Sequence, residues 1–191
     1  DGGTLQWATG NTQDISGRLV LTSGSTAMLD TNGNNVTFAS SFGSSTNAHM
    51  TKIGSGTLTL TAASTLTGTT NVGVGVLQIG NGGTGGAVSA SSVITGSTGA
   101  MLLFNRADDY GGSYGSPIAG TLNVAQVGTG TLTLTAANTY TGTTSVLGGV
   151  LRVGNGSTSG SIAATSWLML GSGQLVLDRA SSVTQSFFST V

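Results

Sequence analysis

The sequence predicts an all-β solenoid, a chain wound into stacked coils of short parallel strands. Three observations predict it. Short runs alternating apolar residues with threonine recur between glycines along the chain, no long stretch carries a helical period, and one long phrase occurs twice almost letter for letter. Period-two alternation bounded by turn residues reads as strand. A near-identical internal repeat favours a solenoid, in which each coil presents the same surface to its neighbour, over the rival β-sandwich.

The strands follow in chain order. Leu19-Val20-Leu21 and Val36-Thr37-Phe38 are short β-type runs bounded by Gly, Asn or Ser. Thr57-Leu58-Thr59-Leu60-Thr61 is the clearest element, with leucines pointing one way and threonines the other. Val76-Leu77-Gln78-Ile79 and Met101-Leu102-Leu103-Phe104 come next. Leu132-Thr133-Leu134, Val150-Leu151-Arg152-Val153 and Leu175-Val176-Leu177 complete the series. Leu58, Leu60, Leu132 and Leu134 form the expected repeat core, and the threonines an outer polar ladder where β-branching suits the pleat. Gly-Asn-Gly and Gly-Ser-Gly supply the positive φ that corners need.

The repeat sets the scale. Ile53 to Ala63 matches Val127 to Ala137, Thr67-Gly68-Thr69-Thr70 matches Thr141-Gly142-Thr143-Thr144, and Gly80-Asn81-Gly82 matches Gly154-Asn155-Gly156, at an offset of 74 (128 − 54). A looser echo pairs Phe104-Asn105-Arg106-Ala107 with Leu177-Asp178-Arg179-Ala180, the offset slipping to 73 (177 − 104). The copies span about 53–82 and 127–156 within one continuous domain, 1–191. A three-strand coil takes roughly 20–25 residues, so a unit holds about three coils and the chain roughly eight or nine. At ~4.8 Å per coil the rod is roughly 40 Å long.

Composition agrees. The chain has 33 Gly, 1 Pro, no Cys and 6% charged residues, with Lys52 the sole lysine. Ordinary domains carry about 25% charge. Thr, Ser, Asn and Gly replace charge as the polar surface, since like charges about 4.8 Å apart would repel. A net charge of -1 argues against a nucleic-acid partner. No apolar run approaches the ~20 residues of a membrane helix, so no direct membrane insertion is expected. Without cysteine there is no disulfide framework and no thiolate metal site. The chain begins at Asp1 without a signal peptide, and reads as a mature piece cut on both sides.

Candidate chemistry is sparse. Gly111-Gly112-Ser113-Tyr114-Gly115 fits the G-x-S-x-G string, but a nucleophile elbow needs a following helix and none is predicted. Asp108-Asp109 with Arg106 is the densest charge cluster, the place to look for Ca²⁺ or the acid/base pair of a polysaccharide-acting β-helix. Adjacent residues on a strand diverge, however, and a loop that breaks pairing is the simpler reading. The glycine run 80–86 lacks the regular Asp of Ca²⁺-binding repeats. His49 has no visible partner ligands, so neither a metal nor any other cofactor is expected. Trp7 and Trp167 read as interior or capping residues near Leu5 and Leu168. Tyr110 and Tyr114 are the better candidates for a ligand-contact loop, which runs to Pro117. The Thr-x-Thr rows at 57–61 and 131–135 resemble ice-binding arrays, but intervening coils interrupt them. No catalytic residue is assigned.

The wording of the repeat adds a resemblance. Residues 128–144, Gly-Thr-Gly-Thr-Leu-Thr-Leu-Thr-Ala-Ala-Asn-Thr-Tyr-Thr-Gly-Thr-Thr, resemble the autotransporter-associated β-strand repeat, also called the passenger-associated transport repeat. Gly149 to Gly154 looks like the end of that unit, and Gly54 to Gly80 matches nearly as well, with Leu66 in place of Tyr140. Upstream phrases such as Asp30 to Phe38, and the connecting stretch Phe104 to Tyr110, are similar to segments flanking such repeats. The resemblance implies a single-stranded right-handed parallel β-helix, part of a passenger exported by type V secretion across a Gram-negative outer membrane. It implies as partners the parent's own C-terminal outer-membrane β-barrel, absent from this chain, and the outer-membrane assembly machinery. A structural stalk that assists secretion and displays adhesive or effector regions is the expected role, not an enzyme. The alternatives are a segment that is itself adhesive, towards host cells, matrix or like passengers, and, behind it, a β-helix enzyme acting on polysaccharide.

Overall fold

A computed structural model describes residues 2–43, 47–89, 92–110, 115–162 and 164–180. Its strands are β1 (Thr4–Gln6), β2 (Thr26–Asp30), β3 (Val36–Phe38), β4 (His49–Ile53) and β5 (Thr57–Leu60). There follow β6 (Thr70–Val72), β7 (Val76–Ile79), β8 (Ile94–Gly96), β9 (Met101–Phe104) and β10 (Asn123–Gln126). The series ends with β11 (Thr131–Leu134), β12 (Thr144–Val146), β13 (Val150–Val153), β14 (Leu168–Leu170) and β15 (Gln174–Leu177). One 3-10 turn, Ser16–Arg18, is the only helical element among the described residues.

Every strand pair is parallel, and each strand pairs with the strand one coil away, which is its neighbour in sequence order only at β1–β2 and β9–β10. Three stacks result. The first face runs β1-β2-β4-β6-β8 and continues through the bridge Ile94 to Ile118. The second face holds β3-β5-β7-β9-β10-β12-β14. The third is made by bridges Phe42 to Ser64, Ala63 to Ala87 and Tyr110 to Leu132, and then by β11-β13-β15. This is the expected all-β parallel solenoid, with about seven turns rather than eight or nine. The shortfall has two sources: residues 7–25 contribute no strand to any stack, and residues 181–191 lie outside the described residues.

Six register steps carry the second face from Val36 to Leu168, 132 residues (168 − 36), so a coil averages 22. The 74-residue repeat therefore spans about 3⅓ coils (74/22), not three. Three steps from Leu58 arrive at Val124, and Leu132 lies eight residues further on (132 − 124), around the next corner. Each element of the second copy consequently sits one face on from its counterpart. β4, β6 and β8 line the first face while β10, β12 and β14 line the second; β5, β7 and β9 line the second while β11, β13 and β15 line the third. The stacks run unbroken through this change, because β9 pairs β10 in full register.

The interior is one apolar column. Leu29, Phe38, Leu58, Leu60, Leu77, Ile79, Leu102, Phe104, Leu132, Leu134, Leu151 and Val153 are all buried. Fully burying one such side chain contributes about 1.5–3 kcal/mol. Leu19-Val20-Leu21 departs from its predicted strand: it leaves the 3-10 turn as irregular chain, and Val20 is 73% exposed. Leu21 is nevertheless buried and Leu19 packs against the interior, so the two leucines meet the apolar column without forming a strand.

Candidate functional site

The two repeat copies share devices that tie one coil to the next. The leucine pairs come first. Leu58 and Leu60 stack on Leu77 and Ile79, and Leu132 and Leu134 on Leu151 and Val153, in matching registers. All four repeat-core leucines are buried, while Thr57, Thr59, Thr131 and Thr133 face outward, half-buried. The two threonine rows occupy different faces, the second and the third, so they form no common array.

The corner before each leucine pair is held by a buried donor. Lys52 is the last inward residue of β4 and is fully buried. Its Nζ donates to Thr31 Oγ1 at 2.9 Å and to the carbonyls of Ile53 (3.1 Å), Gly54 (2.6 Å) and Val74 (3.1 Å). Burial pushes its ammonium down to about 8, with Asp30 pulling the other way. Gln126 occupies the equivalent place in the second copy, buried, with Nε2 donating to Gly128 O at 3.0 Å and Gly130 O at 3.1 Å. The corner is too tight for any side chain opposite: a Cβ on Gly75 would lie 2.5 Å from the Gly54 and Gly56 carbonyls, and φ there is +74°.

Polar stitches cross the interior as well. Thr70 meets Ser92 at 3.1 Å, and Ser92 donates to Gly68 O at 2.6 Å. In the second copy Thr144 meets Thr165 at 2.9 Å, Thr165 donates to Gly142 O at 2.6 Å, and the buried Tyr140 hydroxyl joins at 2.7 Å from Thr144. Asn138 spans three coils, accepting from Ile118 N at 2.9 Å and donating to Ala136 O and Ser161 O.

The fourth device closes the glycine run 80–86. Arg106 donates to the carbonyls of Thr84 and Gly86, and its Nε and Nη2 grip Asp108 at 2.9 and 2.7 Å. That grip holds the Asp108 carboxyl below the usual carboxylate range. Arg179 repeats the clamp on the 154–160 run through Thr158 O at 2.8 Å. The guanidinium of Arg106 also lies 4.4 Å over the Tyr110 ring, which packs at 6.1 Å from Phe104. Burial raises the pKa of the Tyr110 hydroxyl. Tyr110 thus faces its own chain, half-buried and bridged to Leu132. Tyr114 and most of the G-x-S-x-G string, 111–114, lie outside the described residues.

The remaining candidates are dispersed. Asp109 is exposed beside the clamped Asp108. His49 is half-buried on β4, where its Nδ1 accepts the Thr69 amide at 2.8 Å. Trp7 is interior as expected, 6.0 Å from Phe38 with Nε1 donating to Gln13 O. Trp167 is not: it stands 70% exposed on the outside of the last described coil, beside exposed Met169. No group of His, Asp or Glu among the described residues could hold a metal ion. A hollow of about 330 Å³ at the first coil, lined by Leu5, Leu19, Leu21 and Leu29 among others, contains no titratable side chain.

Sequence reasoning missed the corner donors and the stitches. Their signal was present in the aligned copies, since Lys52 and Gln126 both precede the glycine corner by two residues, but polar residues inside a strand obscure the alternation.

Comparison with known proteins places these features. The profile of the passenger-associated-transport-repeat family matches residues 50–79 and 125–153, each beginning in the strand that carries the corner donor and ending in the strand stacked on the leucine pair. Over 59 residues the chain is 48% identical to part of the adhesin BmaC autotransporter of Brucella suis biovar 1 (strain 1330). That match covers 30% of this chain and 2% of the relative, so the chain spans only a small fraction of it. No solved structure gave a significant match.

Proposed function

We propose that this segment of an autotransporter passenger is a structural stalk, which assists export and holds adhesive or effector regions away from the cell. It stands at the cell surface or is released after crossing the Gram-negative outer membrane. The coils wind right-handed, the hand that parallel crossovers take, and the segment performs no catalysis. Its partners are the parent's own C-terminal β-barrel and the outer-membrane assembly machinery.

The observation that carries this reading is the 3⅓-coil period. A repeat selected to present one binding face would return to that face. Here the outward residues of the two copies point in different directions, while the leucine pairs recur in matching register and a corner donor and an arginine on the glycine run recur with fewer bonds in the second copy. What is repeated is the means by which one coil docks on the last. A chain emerging from the membrane gains folding free energy at each docking, and that gain opposes backsliding.

The test is surface appearance of the parent passenger by pulse–chase. Leu60→Asp with Leu134→Asp is expected to slow appearance severalfold, whereas Thr59→Ser with Thr133→Ser leaves it unchanged. Equal rates for the core variant and the native passenger would refute the role in export.

A second reading, in which the segment is itself adhesive, is favoured by the exposed Trp167, Met169 and Leu170 and by the name of the similar adhesin. Saturable binding of the isolated chain to epithelial cells or matrix, lost in Trp167→Ser, would select it. The Tyr110–Tyr114 loop stays a ligand-contact candidate under the same assay, read with Tyr114→Ser.

A further inference from the structure

We propose that His49 is a proton-sensitive latch between two coils, and that Asn123 is the proton-insensitive form of the same latch in the second repeat. The two residues stand at one offset, 74 (123 − 49), at the start of β4 and of β10. Each reaches one coil onward to the same backbone group. His49 Nδ1 accepts the Thr69 amide at 2.8 Å, and Asn123 Oδ1 accepts the Thr143 amide at 2.8 Å. The glycine before each threonine makes the approach possible: a Cβ on Gly68 would lie 2.7 Å from His49 Nδ1, and one on Gly142 would lie 2.8 Å from Asn123 Oδ1.

The chemistry of the two acceptors differs in one respect. An amide oxygen accepts at any pH of interest. A ring nitrogen accepts only while unprotonated, so the latched imidazole carries its hydrogen on Nε2. Protonation converts Nδ1 into a donor and sets it against the Thr69 N–H. The loop cannot turn that N–H away, because Gly68 N donates to Ala48 O at 3.1 Å and Thr69 O accepts from Met50 N at 3.0 Å. Both anchors belong to the chain on either side of His49, so the clash falls on the contact between the coils.

No neighbouring charge compensates among the described residues. β2 and β6 flank β4, and their one titratable side chain is Asp30, paired with Ile53 at the far end of β4. Four residues of extended chain separate it by about 13 Å. Lys52 points inward, on the opposite side of β4 from His49. The loops at 22–25 and 64–69 carry no charged residue.

The sign of the effect follows. The bond needs an unprotonated Nδ1, so protonating the ring removes it, and the contact between the coils weakens as pH falls. Histidine ordinarily changes charge between about pH 5 and 8, so mild acid loosens the first repeat and spares the second.

The experiment is amide exchange by NMR on the ¹⁵N-labelled 191-residue chain between pH 7.5 and 5.0, corrected for the intrinsic pH dependence of exchange. Protection of the Thr69 amide is expected to fall about tenfold, the effect of losing one hydrogen bond, while Thr143 stays within about twofold. His49→Asn is expected to make Thr69 behave as Thr143 does, and Asn123→His to transfer the pH dependence to Thr143. Undiminished Thr69 protection at pH 5.0 in the native chain would overturn the proposal, as would an equal loss persisting in His49→Asn. The His49→Asn variant decides the matter alone if Asn123→His does not fold.

Discussion

Replacing Lys52 separates what its donors contribute from what its bulk contributes. In Lys52→Ala the corner loses all four hydrogen bonds, and the carbonyls of Gly54 and Val74 lose the donor they now have. A buried acceptor left without a donor costs about 1–3 kcal/mol, so two stranded carbonyls set the loss at roughly 3 kcal/mol once some water enters. Lys52→Met fills most of the space but donates nothing, and is expected to lose nearly as much. Lys52→Gln installs the group already present at Gln126, which reaches two corner carbonyls, and is expected to cost about 1 kcal/mol. Urea unfolding followed by circular dichroism measures all three. Methionine tolerated as well as glutamine, within about 0.5 kcal/mol, would refute the reasoning, because packing alone would then hold the corner.

The same lysine predicts a pH dependence. Its ammonium is pushed down to about 8 from an ordinary 10.5, so between those values the unfolded chain holds more protons than the folded one. Stability is expected to climb through that window, by about 3 kcal/mol at most, and to stop climbing in Lys52→Gln. Leu60→Asp and Leu134→Asp each place an unpaired charge in the apolar column and are expected to abolish cooperative thermal unfolding at neutral pH; an unaltered transition would mean that these leucines do not face inward. Arg106→Ala is expected to open the 80–86 run to proteinase K while costing about 2 kcal/mol, from its charge-assisted bonds to Asp108 and the loop carbonyls; unchanged cleavage would dismiss the clamp. Tyr140→Phe is expected to cost about 1 kcal/mol through the Thr144 hydrogen bond, and no change in the urea midpoint would show that the hydroxyl stitch contributes nothing.

The strands legible in the sequence have apolar inward positions. Leu58 and Leu60, Leu77 and Ile79, or Leu151 and Val153 alternate cleanly with polar or exposed residues, so period two announces them. Of the strands that escaped, β4, β6, β10 and β12 place Lys52, Thr70, Gln126 and Thr144 inside, where hydrogen bonds to neighbouring coils satisfy them, while β1, β2, β8 and β14 lie outside the runs that period two picked out. Local alternation cannot reveal a polar interior that depends on a coil some 20 residues away. The period was visible but its phase was not. Coils here range from 19 residues (77 − 58) to 25 (102 − 77), and only the summed register distinguishes three coils from 3⅓. Trp167 was misplaced for a related reason: adjacency to Leu168 says nothing about which side of a strand a residue occupies until the register is known.

The rotation of the repeat by one face is tested most directly by cysteine pairing, in a chain that has no cysteine of its own. Leu103 and Ala125 are register partners on the outer side of β9 and β10, at the coil where the first copy's stack passes to the second copy's strands. Strands about 4.8 Å apart bring such a pair within disulfide range. Leu103→Cys with Ala125→Cys is expected to cross-link under mild oxidation, and Leu103→Cys with Thr133→Cys is not. A cross-link between 103 and 133 instead would place β11 on the face of β9, return the repeat to a whole number of coils, and contradict the account.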